Sequence, residues 1–224
     1  MTVYPRLDTL RRALEAAAQP QRRAPMRAYM REQFDFLGLP TPLRRAVSRP
    51  WLRELDAADA ETCLALAQAL WREPQREFHY LALDLLARHV AQLPPQSLPA
   101  LLALATDQSW WDSVDPLAGT IVGGLVHRHR NLQPAMDRLS GDDNPWLRRV
   151  ALLHQLNWKQ DTDRERLFAY CRANAADGDF FIRKAIGWAL RQYARIDGDA
   201  VRDFVERNAL SALSRREALK HIGR

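Results

Sequence analysis

The stretches "FIRKAIGWALRQY", residues 181–193, and "WLRRVALLHQL", residues 146–156, decide how this chain folds. Each starts with an aromatic side chain, passes through an aliphatic residue and two basic ones, and then becomes an apolar run. Working outward toward the N-terminus, Trp111 sits in "SWWDSVDPLAG" (residues 109–119) and Phe78 opens "FHYLALDLLARHV". These aromatic leads at positions 78, 111, 146 and 181 repeat with a period of about 35 residues. A period of that size marks helix pairs, each unable to bury its apolar face alone and therefore stacked on its neighbours.

The punctuation along the chain supports this reading. "PRLD", "LGLPTP", "QLPPQS", "GDDNP", "NAADGD" and "RIDGD" carry turn and capping chemistry. Asp143 or Asn144 before Pro145 reads as an N-cap followed by proline at the first helical position. Ala, Leu, Arg and Glu dominate, and only 9 of 224 residues are glycine, a composition of strong helix formers. The expected fold is all-α, with about a dozen helices in one continuous α-solenoid spanning residues 1–224. A compact helical bundle is the alternative. Stacked pairs curve, and a curved stack offers a concave face able to wrap a rod-like partner.

Charge points to the nature of that partner. The 33 Lys+Arg against 27 Asp+Glu give a net +6, and the sequence pI is about 9.8. A basic, arginine-heavy chain of this size is attracted to polyanions such as nucleic acid. Cys63 and Cys171, the only cysteines, form neither a metal-ligand spacing nor a disulfide framework. The charged, amphipathic start "MTVYPRLDTLRRALEAAAQ" lacks the apolar core of a signal peptide. No apolar run reaches membrane-spanning length, so no membrane partner and a reducing cytoplasm are expected. His127 and His129 fall on opposite sides of a helix, and His79, His89, His154 and His221 are scattered, which gives no metal site. Neither a glycine-rich nucleotide loop nor a nucleophile elbow occurs.

Basic and aromatic residues do cluster. Phe181, Lys184, Trp188 and Arg191 follow three- and four-residue spacing and share one helix face. Trp146 and Arg149 share another, with Arg148 beside it. Such faces in consecutive repeats suit phosphates held by arginine and lysine, and a sugar or cationic base facing tryptophan. Taken singly, each aromatic also fits core packing and each arginine a solvated surface; recurrence at a fixed period sets them apart. In "SWWDSVDPLAG", Ser109 and Asp112 fit a capping box. Trp111 and Asp115 would then lie one turn apart on one face. Pro116 disfavours helical geometry at Asp115, so Asp115 reads equally as the N-cap of a helix starting at Pro116.

Five segments together resemble the AlkD family of alkylpurine DNA glycosylases, which are built from HEAT-like repeats: "AYMREQFDFLGLPTPLRR", "SWWDSVD", "NPWLRRVALL", "FFIRKAIGWALRQY" and "LSALSRREALKH". The resemblance runs from about Tyr29 to His221. It implies a curved superhelix with a basic concave face. It implies that Asp115 is the catalytic carboxylate, that Trp111 and Trp188 are its aromatic neighbours, and that Tyr29 completes the aromatic wall. Arg149 or Arg148, together with Arg191, would grip the DNA backbone, and Phe180 and Phe181 match the aromatic pair that leads the last functional helix.

The chemistry implied is hydrolysis of the N-glycosidic bond of cationic purines, 3-methyladenine and 7-methylguanine, in duplex DNA. A positively charged purine is already a good leaving group, which fits one well-placed carboxylate and no acid partner. Positive charge developing on the deoxyribose would be stabilised by the fixed carboxylate and by the negative faces of the tryptophans. The expected protein is a monomer that uses no cofactor and no metal. A helical-repeat nucleic-acid-binding module without chemistry, or a protein-interaction scaffold, would share the fold, but neither needs Asp115 among Trp111 and Trp188.

Overall fold

In a computed structural model, residues 4–221 are described, with side chains from residue 7 onward; the first residues of the N-terminal stretch read above lie outside them. Among the described residues the regular structure is helical, and the sole extended pairing is an isolated bridge between Asp35 and Gln75. The chain divides into two compact units, Met1–Leu93 and Pro94–Arg224.

The first unit holds α1 (Tyr4–Ala16), α2 (Pro20–Tyr29), α3 (Thr41–Glu54), α4 (Ala60–Trp71) and α5 (Arg76–His89). Helices α4 and α5 form a packed pair, and α1 lies on α3. Asp59 caps α4 by accepting the Thr62 N–H at 2.7 Å, the side-chain solution to an orphan donor at a helix start. Leu66, Leu70, Trp71, Phe78, Leu81 and Leu85 of the pair are buried. The loop "FLGLP" is fixed from inside this unit. The buried Glu77 carboxylate accepts the N–H groups of Leu37, Gly38 and Leu39 at 2.9–3.0 Å, so a charge that would be costly to bury alone satisfies three backbone donors. Helix α2 differs from the rest in burying none of its residues.

The second unit holds α6 (Leu98–Thr106), α7 (Trp111–Pro116), α8 (Gly123–Arg128), α9 (Gln133–Leu139), α10 (Pro145–Leu153), α11 (Arg164–Ala173), α12 (Phe180–Tyr193), α13 (Gly198–Arg207) and α14 (Ala212–Ala218). Helix α10 packs on α12 and α12 on α14, while α9, α11 and α13 precede them as outer partners, the arrangement of an α-solenoid of HEAT-like repeats. The period of about 35 residues is thus one helix pair, and Trp111, Trp146 and Phe181 all fall in the first turn of an inner helix. Of the two cap candidates before Pro145, Asn144 caps α10, accepting the Trp146 N–H at 2.9 Å. Asp163, Asp179, Asp197 and Ser211 do the same for α11 to α14.

The reading of Ser109 as a cap is corrected. The residue preceding α7 is Trp110, without a side-chain cap bond, and the Ser109 hydroxyl donates instead to the Ala105 carbonyl at 2.8 Å. Asp115 is no N-cap either: α7 runs through Pro116, which keeps helical angles of −65° and −34°. The ring supplies no N–H to the Asp112 carbonyl, and the following residues, Leu117–Val122, widen into a π-helix before α8. This irregular run is clamped to the segment after α10. A Cβ at Gly123 would come within 2.1 Å of the His154 carbonyl oxygen, so only glycine permits that approach. Trp158 Nε1 donates to the Gly123 carbonyl at 3.0 Å, and Asn157 Nδ2 to that of Gly119 at 2.9 Å. A π-helical turn beside a functional residue is a recurrent device; here it sits on the helix carrying Asp115 and faces the end of the helix carrying Arg149.

Candidate active site

A cleft of about 390 Å³ opens within the second unit between α7, α10, α12 and α14. Trp111 and Asp115 reach it from α7, Arg149 from α10, and Phe180, Phe181, Lys184, Trp188 and Arg191 from α12. The single face deduced for α12 is real: the opposite side of that helix, from Ile182 to Leu190, is core. Most of the residues singled out in the sequence are therefore brought together. Tyr29 lies at the end of α2 in the first unit, 70% exposed.

Arg149 forms the site's strongest contact, and its partner is a carboxylate of the cleft itself. The residue is 4% exposed. Its Nε and Nη2 donate to the two Asp115 carboxylate oxygens at 2.6 and 2.8 Å, a bidentate pair of the strongest geometry available to these groups. Its Nη1 donates to the Phe181 carbonyl. Three of the five guanidinium N–H donors are thereby engaged inside the protein. Arg148 is committed as well, to the carbonyls of Asp142 and Asp143 at 2.6 and 2.9 Å and to the Asp177 carboxylate at 2.8 Å. Burial pushes the Asp115 carboxyl above the usual carboxylate range, and the hydrogen bonds and charge of Arg149 oppose that rise.

The wall behind this pair is aromatic. Trp110 meets Phe181 edge to face at 5.0 Å between ring centres, Trp146 lies 5.1 Å from Phe181, and Trp110 and Trp146 are 6.1 Å apart. Each such contact is worth about 0.5–1.5 kcal/mol beyond area burial. The adjacent tryptophans at 110 and 111 thereby take different tasks. Trp110 anchors the cluster, and Trp111 faces the cleft. Trp188 lines the cleft half-buried, while Phe180 projects from its edge, 53% exposed.

Two features were missed in the sequence. One is the structural role of Trp110. The other is Glu217, which α14 delivers into the cleft. It accepts from Lys184 Nζ at 2.9 Å and from Arg191 Nη1 at 2.5 Å. The hydrogen bond from Lys184, followed by that from Arg191, holds its carboxyl below the usual range despite partial burial. Glu217 stands in the motif "SRREALKH", but no periodic spacing links it to Lys184 or Arg191.

The site consists of a fixed carboxylate, a tryptophan-lined cavity and cations at the far wall. It can hold a positively charged group beside an anionic one. Among the described residues no group of three His, Cys, Asp or Glu side chains is placed to hold a metal ion, and no helix is long and apolar enough to cross a membrane.

Comparison with known proteins points to a family. Residues 10–222 match a protein family described as DNA alkylation repair enzyme. The chain is also similar to a solved structure, described as a predicted DNA alkylation repair enzyme from Enterococcus faecalis. The two share 34% identity over 92% of this chain and 97% of the other, with a TM-score of 0.87. No curated protein matches.

Proposed function

We propose, from the premise that this chain belongs to the family of DNA alkylation repair enzymes, that it is a monofunctional DNA glycosylase. Its substrates are cationic alkylated purines, 3-methyladenine and 7-methylguanine, in duplex DNA. The observation that carries this reading is the Asp115 carboxylate, clamped on both oxygens by Arg149 and opening on a cavity walled by Trp111 and Trp188.

In the proposed reaction the C1′–N bond breaks, and its electron pair goes to the purine, which leaves as a neutral base. The deoxyribose takes on positive charge. Asp115, preorganised by Arg149, stabilises that charge without reorienting at the moment of reaction. The tryptophan faces add on the order of 0.5–2 kcal/mol per cationic contact. Water then bonds to C1′ and releases its proton, leaving an abasic site. Lys184 and Arg191 face the phosphate backbone. The cleft is complete within one chain, and the lesion's own charge replaces a general acid, so the reading calls for neither a second copy nor a cofactor.

This mechanism is tested by the charge of the leaving group. The protein should release 7-methylguanine or 3-methyladenine from methylated duplex far faster than hypoxanthine or uracil, as read by chromatography of the freed bases. Efficient uracil release would require the enzyme to activate the leaving group itself and would overturn the mechanism. Duplex binding without release of any base would favour a non-catalytic binding module.

A pH dependence follows from the burial of Asp115. A carboxyl pushed above its ordinary value of 3.8 takes up its proton early on acidification, and only the ionised form stabilises a cation. The single-turnover rate for 7-methylguanine is therefore expected to fall as pH drops through a value above 3.8. This lesion is permanently charged, so the acid limb reports the protein. A rate that stays flat down to about pH 4 would separate catalysis from this carboxylate.

A further inference from the structure

Glu217 is the second carboxylate of the cleft, and the chemistry proposed above does not use it. Its position is enforced. Helix α14 packs against α12 at Gly187, where a Cβ would fall 2.5 Å from the Glu217 Cβ and 2.9 Å from the Ser214 carbonyl oxygen. The Ser214 hydroxyl, in turn, donates to the Arg183 carbonyl at 2.9 Å. With this approach the Glu217 carboxylate, 14% exposed, touches both Lys184 and Arg191. Those are the cations expected at the phosphates, and a carboxylate set against them weakens their hold on an anion. It neutralises one of two charges and occupies donors that a phosphate would use.

The opposing demands of the reaction account for it. Asp115 and Arg149 cancel, so Lys184 and Arg191 without Glu217 would leave two uncompensated positive charges in the chamber that must accept a cationic purine and a developing cationic sugar. With Glu217 the surplus is one. We propose that Glu217 is a positioning and charge-balancing residue: it fixes Lys184 and Arg191 and lowers their net charge, limiting affinity for undamaged duplex while keeping the cleft hospitable to a cation. The second half of this assignment rests on the glycosylase reading; the first does not.

Glu217→Gln keeps the size and an acceptor oxygen but removes the charge. On undamaged duplex, titrated at several salt concentrations, it is expected to bind more tightly. Its plot of log K against log salt should steepen by ~0.9, one further phosphate neutralised. Arg191→Ala should move the same slope the opposite way. Single-turnover release of 7-methylguanine by Glu217→Gln should slow by about three- to thirty-fold, the effect of one added positive charge near the reacting sugar. Gly187→Ala, which displaces α14 without changing charge, should not steepen the slope. An unchanged slope for Glu217→Gln, with a lowered melting temperature, would mean that Glu217 only secures α14. Weaker binding with a shallower slope would mean that it orders the clamp without limiting it, and either result overturns the proposal. Should the wild-type protein release no base, the glycosylase reading fails by itself, and the slope on undamaged duplex still decides the role of Glu217 in binding.

Discussion

Asp115→Asn is expected to slow single-turnover release of 7-methylguanine by roughly ten- to a thousand-fold, with affinity for undamaged duplex nearly unchanged. The amide preserves the volume and one acceptor for Arg149 but deletes the charge facing the developing cation. A preorganised electrostatic group of this kind is worth a few kcal/mol in a transition state, which sets the range. Asp115 touches no helix-starting N–H and lies inside α7, so loss of a cap is not available as an explanation of a slower variant. Asp112→Asn, on the same short helix but absent from the cleft lining, is the control and should retain the wild-type rate. A wild-type rate for Asp115→Asn would make the carboxylate structural and return the site to a binding role.

How far the sequence led toward this site depends on the kind of spacing involved. Residues on one helix were legible, because 3.6 residues per turn fixes which side chains share a face: Phe181, Lys184, Trp188 and Arg191 line the cleft as spaced. The repeat was legible because its aromatic leads recur at one place in each helix pair. Pro116 was readable only as a choice between two local rules. Which one wins depends on the π-turn after it and on the packing of Gly123 against His154, contacts more than 30 residues apart in the chain. Arg149 was placed on the correct helix without its partner, since a sequence shows an arginine on a face but not that a carboxylate lies across from it. Glu217 left no periodic trace at all, because its partners are reached by helix-on-helix packing at Gly187. Of two neighbouring tryptophans, nothing local says which turns into the aromatic cluster.

Arg149→Ala carries the second large effect, and it separates the buried partner seen here from the phosphate grip expected from the sequence. The pair is nearly enclosed, its side chains 5% and 12% exposed. Removing one member leaves the other as an uncompensated buried charge, which costs about 3–5 kcal/mol. Chemical denaturation near neutral pH should register a loss of that order. The remaining Asp115 carboxyl, stripped of the group that opposes its upward shift, should retain its proton to still higher pH. The acid limb of base release should then lie at higher pH than in the wild type. Adding Asp115→Asn to Arg149→Ala removes the buried charge, so the double variant should be more stable than Arg149→Ala alone. A double-mutant cycle reads that difference as the coupling energy between the two residues. A phosphate-gripping arginine predicts the reverse pattern: near-normal stability, no coupling to Asp115, and duplex affinity lowered with a shallower salt dependence. That second pattern would place Arg149 at the DNA backbone and leave the Asp115 carboxylate oriented by its helix alone.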